Sequence, residues 1–107
     1  KNNQKIEVNV KMPGSSKLHY SPGIPMRLNV KKNNDDEAFI LIKKRKKKNK
    51  NYFYLSKTKN LKEAAKNLYK MLRKIKKNGY KQIAVEKIPN IQIGEAINDR
   101  LLRASKK

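Results

Sequence analysis

Residues Met12–Pro25 constrain this chain more than any other stretch. They hold three of the four prolines (Pro13, Pro22, Pro25) and two of the four glycines (Gly14, Gly23). They also hold the only histidine, His19. Proline fixes φ, removes a backbone donor and pushes the preceding residue to extended conformations. A segment built this way is neither a helix nor an interior strand. It reads as an extended arm with His19 and Tyr20 as its chemically interesting side chains. The residues before it are too few to fold alone, and those after it read as one small α/β unit.

The chain has 107 residues, enough for one domain. It has no cysteine, which excludes a disulfide framework, a thiolate zinc site and a cysteine nucleophile. No apolar run is long enough to span a membrane and no signal-peptide pattern is present. A cytoplasmic location is the expectation. The sequence opens at Lys1, and an upstream domain is expected to precede it.

Net charge is +21, which suggests a polyanion partner. Lysine far outnumbers arginine, however, and comes with many Asn and Ile, as an AT-rich coding bias produces. Bidentate phosphate and base recognition favours Arg, and arginine is confined to Arg27, Arg45, Arg73, Arg100 and Arg103. Charge alone therefore supports non-specific, salt-sensitive polyanion affinity, weak RNA binding included, and not a dedicated recognition surface.

Hydrophobic periodicity sets the expected elements. Ile6–Val10 alternates as an edge strand would, and Met26–Val30 alternates with Met26, Leu28 and Val30 on one face. The polar turn Lys31–Glu37 is too short for a crossover helix, so the next strand is either antiparallel to Met26–Val30 or not its neighbour. Ala38–Ile42 is a continuous apolar run suited to a strand buried on both faces. Lys43–Asn51 repeats like charges and reads first as a mobile, solvated loop, with an RNA-contacting loop as the alternative. Tyr52–Leu55 is a short aromatic strand whose rings are expected in the core.

Asn60–Lys77 is the strongest helix. Leu61, Ala64, Ala65, Leu68, Leu72 and Ile75 share one face, and Asn60 with Glu63 resembles a capping box. Asn78-Gly79 supplies the stop. Tyr80–Glu86 follows as a strand with Ile83 and Val85 on one face. Gly94 opens a second helix, Glu95–Ser105, with Ile97, Leu101 and Ala104 inward. The expected fold is a small, three-layer α/β domain over residues 26–107, with a mostly parallel or mixed sheet. Residues 1–25 form the end of an upstream domain and the arm.

The chain carries no Walker loop, dinucleotide-binding glycine motif or nucleophile elbow. Its acids give no pair suited to acid–base work, and His19 has no constellation around it. No catalytic residue and no metal ligand is assigned.

Three ordered motifs resemble a known family. Pro13-Gly14, four residues, then His19-Tyr20-Ser21-Pro22 is similar to the linker of the long, two-domain threonylcarbamoyl-AMP synthases, with Ser15 and Ser21 where that family has Met and Ala. Glu63-Ala64-Ala65, Asn67-Leu68-Tyr69 and Leu72-Arg73 resemble the core of a helix in the same family. Gly94-Glu95-Ala96-Ile97-Asn98-Asp99-Arg100-Leu101 resembles the stretch that closes its C-terminal domain.

The resemblance implies a parent enzyme that makes threonylcarbamoyl-AMP from ATP, L-threonine and bicarbonate for tRNA threonylcarbamoyladenosine modification. It also implies a YrdC-like catalytic nucleotidyltransferase domain upstream, lidded by the linker and followed by a Rossmann-like C-terminal domain. On that basis Pro13, Gly14, Lys17, His19, Tyr20 and Pro22 are lid positions, with Lys17 a phosphate neighbour. His19 and Tyr20 are equally readable as anchors of the linker. Asn98, Asp99 and Arg100 read as helix-capping or domain-contact groups. This chain is expected to bind no cofactor itself, with ATP and Mg belonging to the parent. The alternative function is a free-standing basic RNA-binding module.

Overall fold

The computed structural model describes residues 21–105. The expected strand Ile6–Val10 and the arm positions Pro13, Gly14, Lys17, His19 and Tyr20 lie outside the described residues.

Four strands and two helices follow one another as β1 (Met26–Arg27), β2 (Ala38–Leu41), β3 (Tyr52–Tyr54), α1 (Leu61–Lys77), β4 (Ile83–Val85) and α2 (Ile93–Ala104). The strands form one sheet in the order β1-β4-β2-β3, and every pairing is parallel. Of the two arrangements open for the segment after Met26–Val30, the structure adopts the second: β4 inserts between β1 and β2.

β2 is buried along its whole length, as its unbroken apolar run requires of a strand with neighbours on both sides. Period-two alternation divides the sheet's side chains. Ala38, Ile40, Ile83 and Val85 join the main core with Phe53 and Leu55. Phe39, Leu41 and Ala84 form a second, smaller cluster with Val30, Tyr52 and Tyr54 against it.

α1 is held by its own periodicity and caps. Ala64, Leu68, Leu72 and Ile75 are buried, and the Asn60 side chain accepts a hydrogen bond from the Glu63 amide at 3.0 Å. Lys74, Lys76 and Lys77 occupy the last turn, where positive charge suits the helix dipole. Gly79 adopts φ +86° and releases the chain towards β4.

α2 starts two residues before the expected Glu95, at Ile93. Gly94 therefore lies within its first turn and is buried. A β-carbon there would sit 1.9 Å from the Pro89 carbonyl oxygen. Glycine at this position allows α2 to touch the loop leaving β4, which is a packing requirement and not a turn requirement.

Both helices contribute to the same core cluster: Leu68, Leu72 and Ile75 from α1 meet Ile97, Leu101 and Ala104 from α2. The α/β class and parallel sheet are as expected. Among the described residues the helices cover one face, and side chains from loops cover the other in place of a third helical layer.

Candidate functional site

In open parallel sheets, ligands gather where strands end at their carboxyl edge. Here that edge carries Leu28, Ile42, Leu55 and Glu86, the residues that follow the four strands. An open cleft of about 580 Å³ lies against it, lined by Leu28, Asn29, Val85, Ile88, Asn98 and Leu102 among others.

Glu86 organises this edge. One carboxylate oxygen accepts from the Ile42 amide at 2.8 Å and the other from the Arg45 guanidinium at 3.2 Å. Arg45 also donates to the Lys31 carbonyl at 3.1 Å. Its guanidinium lies 4.8 Å from the Phe39 ring centroid and 5.8 Å from that of Tyr52. The Arg45 amide donates to the Tyr54 hydroxyl at 3.1 Å. One arginine thus ties the basic loop to β2, β3, β4 and the turn after β1.

That geometry corrects the picture of residues 43–51 as a freely solvated loop. The segment is the connection between two neighbouring parallel strands. It is pinned by a Lys43–Thr58 bridge, by Lys44 N–H to the Lys57 carbonyl, and by Tyr52 N–H to the Asn49 carbonyl. The lysines remain exposed, but the backbone beneath them is fastened at both ends.

Tyr52 and Tyr54 meet the expectation of core rings only in part, since they pack against the smaller core cluster yet stay half-buried. Phe53 is buried and meets Tyr80 edge-on at 5.5 Å. Tyr52 and Tyr54 point to the opposite face and stay half-buried. They line a second open cleft with Lys44, Lys48, Asn49, Lys50, Lys57 and Arg45.

At the opposite, amino-terminal side of β2, Glu37 is buried and receives Arg27 bidentately, at 2.6 Å and 3.0 Å. The Asn34 amide donates to it as well, at 3.0 Å. The Arg27 hydrogen bond, assisted by that amide, holds the Glu37 carboxyl below its ordinary range despite burial.

Of the arm positions read from sequence, Pro22 alone lies within the described residues. It is buried, as is Ile24 two residues on, and the neighbouring Ser21 hydroxyl donates to the Ala104 carbonyl at 2.8 Å. The arm's end is thereby attached to the end of α2.

The α2 positions have separate surroundings. Asn98 donates through its amide to the Ile88 carbonyl at 2.9 Å and to the Asn90 side-chain oxygen at 3.2 Å. Asp99 pairs with Arg103 one turn later, at 3.0 Å. Arg100 is half-buried near Tyr69 of α1, whose phenol is pushed up by burial more than the charges of Arg100 and Arg103 pull it down.

Sequence reading missed Asn67, which donates to the Leu55 carbonyl at 2.9 Å. Asn67 and Asn98 do the same work on different helices: each amide holds a carbonyl of the chain leaving a strand. The signal was a lone Asn on the inner side of each amphipathic helix. Polar groups there must find partners. Glu86 and Arg45 were missed too, since neither stands out locally.

Among the described residues no group of three or more His, Cys, Asp or Glu side chains could hold a metal ion. No helix among them is long and apolar enough to cross a membrane.

Comparison with curated proteins and with solved structures returns no match. The family model for the C-terminal domain of threonylcarbamoyl-AMP synthase matches residues 1–106, nearly the whole chain and both the arm and the α/β body. The chain belongs to the threonylcarbamoyl-AMP synthase C-terminal domain family, and so to a family of tRNA modification.

Proposed function

We propose that this chain is a non-catalytic linker and C-terminal domain that lids and regulates a YrdC-like catalytic domain making threonylcarbamoyl-AMP. The observation that carries the reading is the family match, which treats arm and α/β body as one unit. ATP, with Mg, L-threonine and bicarbonate are then handled by the catalytic domain, and the product serves tRNA modification in the cytoplasm.

The attachment of the arm supports this. Ser21, Pro22 and Ile24 fasten it to the body, with the Ser21 hydroxyl on Ala104 and both hydrophobic residues buried. His19 and Tyr20 come directly before that anchor in sequence. An arm fixed at one end and extended by proline can close over a neighbouring cavity with little loss of entropy. A lid of this kind excludes water and completes a site on closure.

The test is paired. In the two-domain enzyme, His19→Ala and Tyr20→Ala should lower turnover, while the same substitutions leave the melting temperature of the present chain unchanged. A destabilised chain with unchanged turnover would make both residues anchors and remove the lid role.

A further inference from the structure

The second cleft carries chemistry that the lid reading does not use. Its lining combines aromatic rings with lysines: Tyr52 and Tyr54 from β3, Lys44, Lys48 and Lys50 from the connection before it, Lys57 from the turn after it. β3 is the sheet's edge strand, so the cleft opens at the margin of the helix-free face.

The two rings are held in fixed orientations. Tyr52 meets Phe39 edge-on at 5.9 Å and Tyr54 at 6.4 Å. The Tyr54 hydroxyl is fixed by the Arg45 amide. Rings immobilised in advance lose little entropy when a planar group stacks on them. Among the described residues, Lys44, Lys48, Lys50 and Lys57 have no carboxylate within ion-pair distance. Their charge is therefore available to an anionic ligand. Arg45, by contrast, is committed to Glu86 and to the Phe39 face.

We propose that this cleft binds single-stranded RNA, with Tyr52 and Tyr54 stacking on unpaired bases and the four lysines neutralising phosphates. Aromatic platforms inside a positively charged groove are how proteins hold single strands without reading sequence. A duplex keeps its bases stacked inside and offers the rings nothing. A lipid surface would need apolar side chains to insert, and apart from the two tyrosines the lining is polar or charged.

The test uses the whole chain and a fluorescently labelled twelve-nucleotide oligouridine in an anisotropy titration. A twelve-base-pair RNA duplex and phosphatidylserine vesicles serve as comparison ligands. The single strand should bind more tightly than the duplex. Lys48→Glu with Lys50→Glu should weaken binding about tenfold or more, and Lys70→Glu with Lys74→Glu, an equal charge change on exposed positions of α1, about threefold or less. Tyr52→Leu should weaken it about fivefold or more, while Tyr52→Phe, which keeps the ring, should retain it.

Equal losses from the two lysine pairs would overturn the site, leaving only diffuse charge. Equal affinity for duplex, unchanged binding by Tyr52→Leu, or binding to vesicles but not to RNA would each overturn it too. The lysine pairs lie on exposed positions outside the core, so their comparison decides the matter even where Tyr52→Leu perturbs folding.

Discussion

Arg45 and Glu86 stand 41 residues apart in sequence, yet their side chains meet at 3.2 Å and close the carboxyl edge of the sheet. The arginine contributes through packing as much as through charge, because its guanidinium also covers Phe39. Arg45→Ala should cost about 1–2 kcal/mol in urea denaturation, above the range of exposed ion pairs. Arg45→Lys should recover less than half of that, since one guanidinium nitrogen serves both Glu86 and Lys31 while the planar group covers Phe39, and a compact ammonium has no such plane. A loss below about 0.5 kcal/mol for Arg45→Ala, the ordinary range for surface substitutions, would contradict this role.

Glu37 makes stability depend on pH. Its folded-state carboxyl is depressed by Arg27 first and by the Asn34 amide as well, with burial opposing. A depressed carboxyl contributes stability that is present above its unfolded value of about 4.3 and is lost as pH falls through the folded value. Urea midpoints should fall from pH 5 towards pH 3 more steeply in the natural chain than in Glu37→Gln. Parallel profiles would show that Glu37 is not a main source of the acid sensitivity.

Gly94 should not tolerate any side chain. The Pro89 carbonyl oxygen occupies the place of its β-carbon, and since that atom is backbone and not the end of a flexible side chain, the chain itself must shift. Gly94→Ala should lower stability by about 2 kcal/mol or more, by forcing α2 away from the loop after β4. A melting temperature within a degree or two of the natural chain would mean that α2 slides at no cost.

Gln92, two residues earlier, sits at φ 48° and ψ −125° and caps α2 without a side-chain hydrogen bond. That backbone region favours glycine, and a non-glycine residue there carries strain on the order of 1 kcal/mol or more. Gln92→Gly should therefore raise the melting temperature, although glycine usually lowers it through chain entropy. A lower melting temperature would show that the Gln92 side chain contributes packing that outweighs the strain.

Much of this architecture was legible in local pattern. The helical stripe from Leu61 to Ile75, the Asn60 cap and the doubly buried run at Ala38–Leu41 each follow from a period and a cap within a few residues. Strand order was not legible beyond the exclusion drawn from the short Lys31–Glu37 turn. Pairing β4 between β1 and β2 depends on contacts far apart in the chain. Arg45 was hidden for a different reason. It sits among lysines that are solvated, and only the folded sheet brings Phe39, Tyr52 and Glu86 to it. Tyr52 and Tyr54 followed the period of two, but nothing local said that the face they share would be covered by a loop and left partly open. Gly94 was read as a helix start, and its packing role required knowing where Pro89 would lie.

The central claim is that this chain serves a catalytic domain without performing the chemistry itself. Pyrophosphate release tests it most directly, measured on the purified chain with ATP, Mg, L-threonine and bicarbonate. The account predicts release no faster than in the protein-free control, and restored synthesis when the chain is joined to a YrdC-like catalytic domain. Threonine-dependent pyrophosphate release by the chain alone, rising in proportion to its concentration, would contradict it.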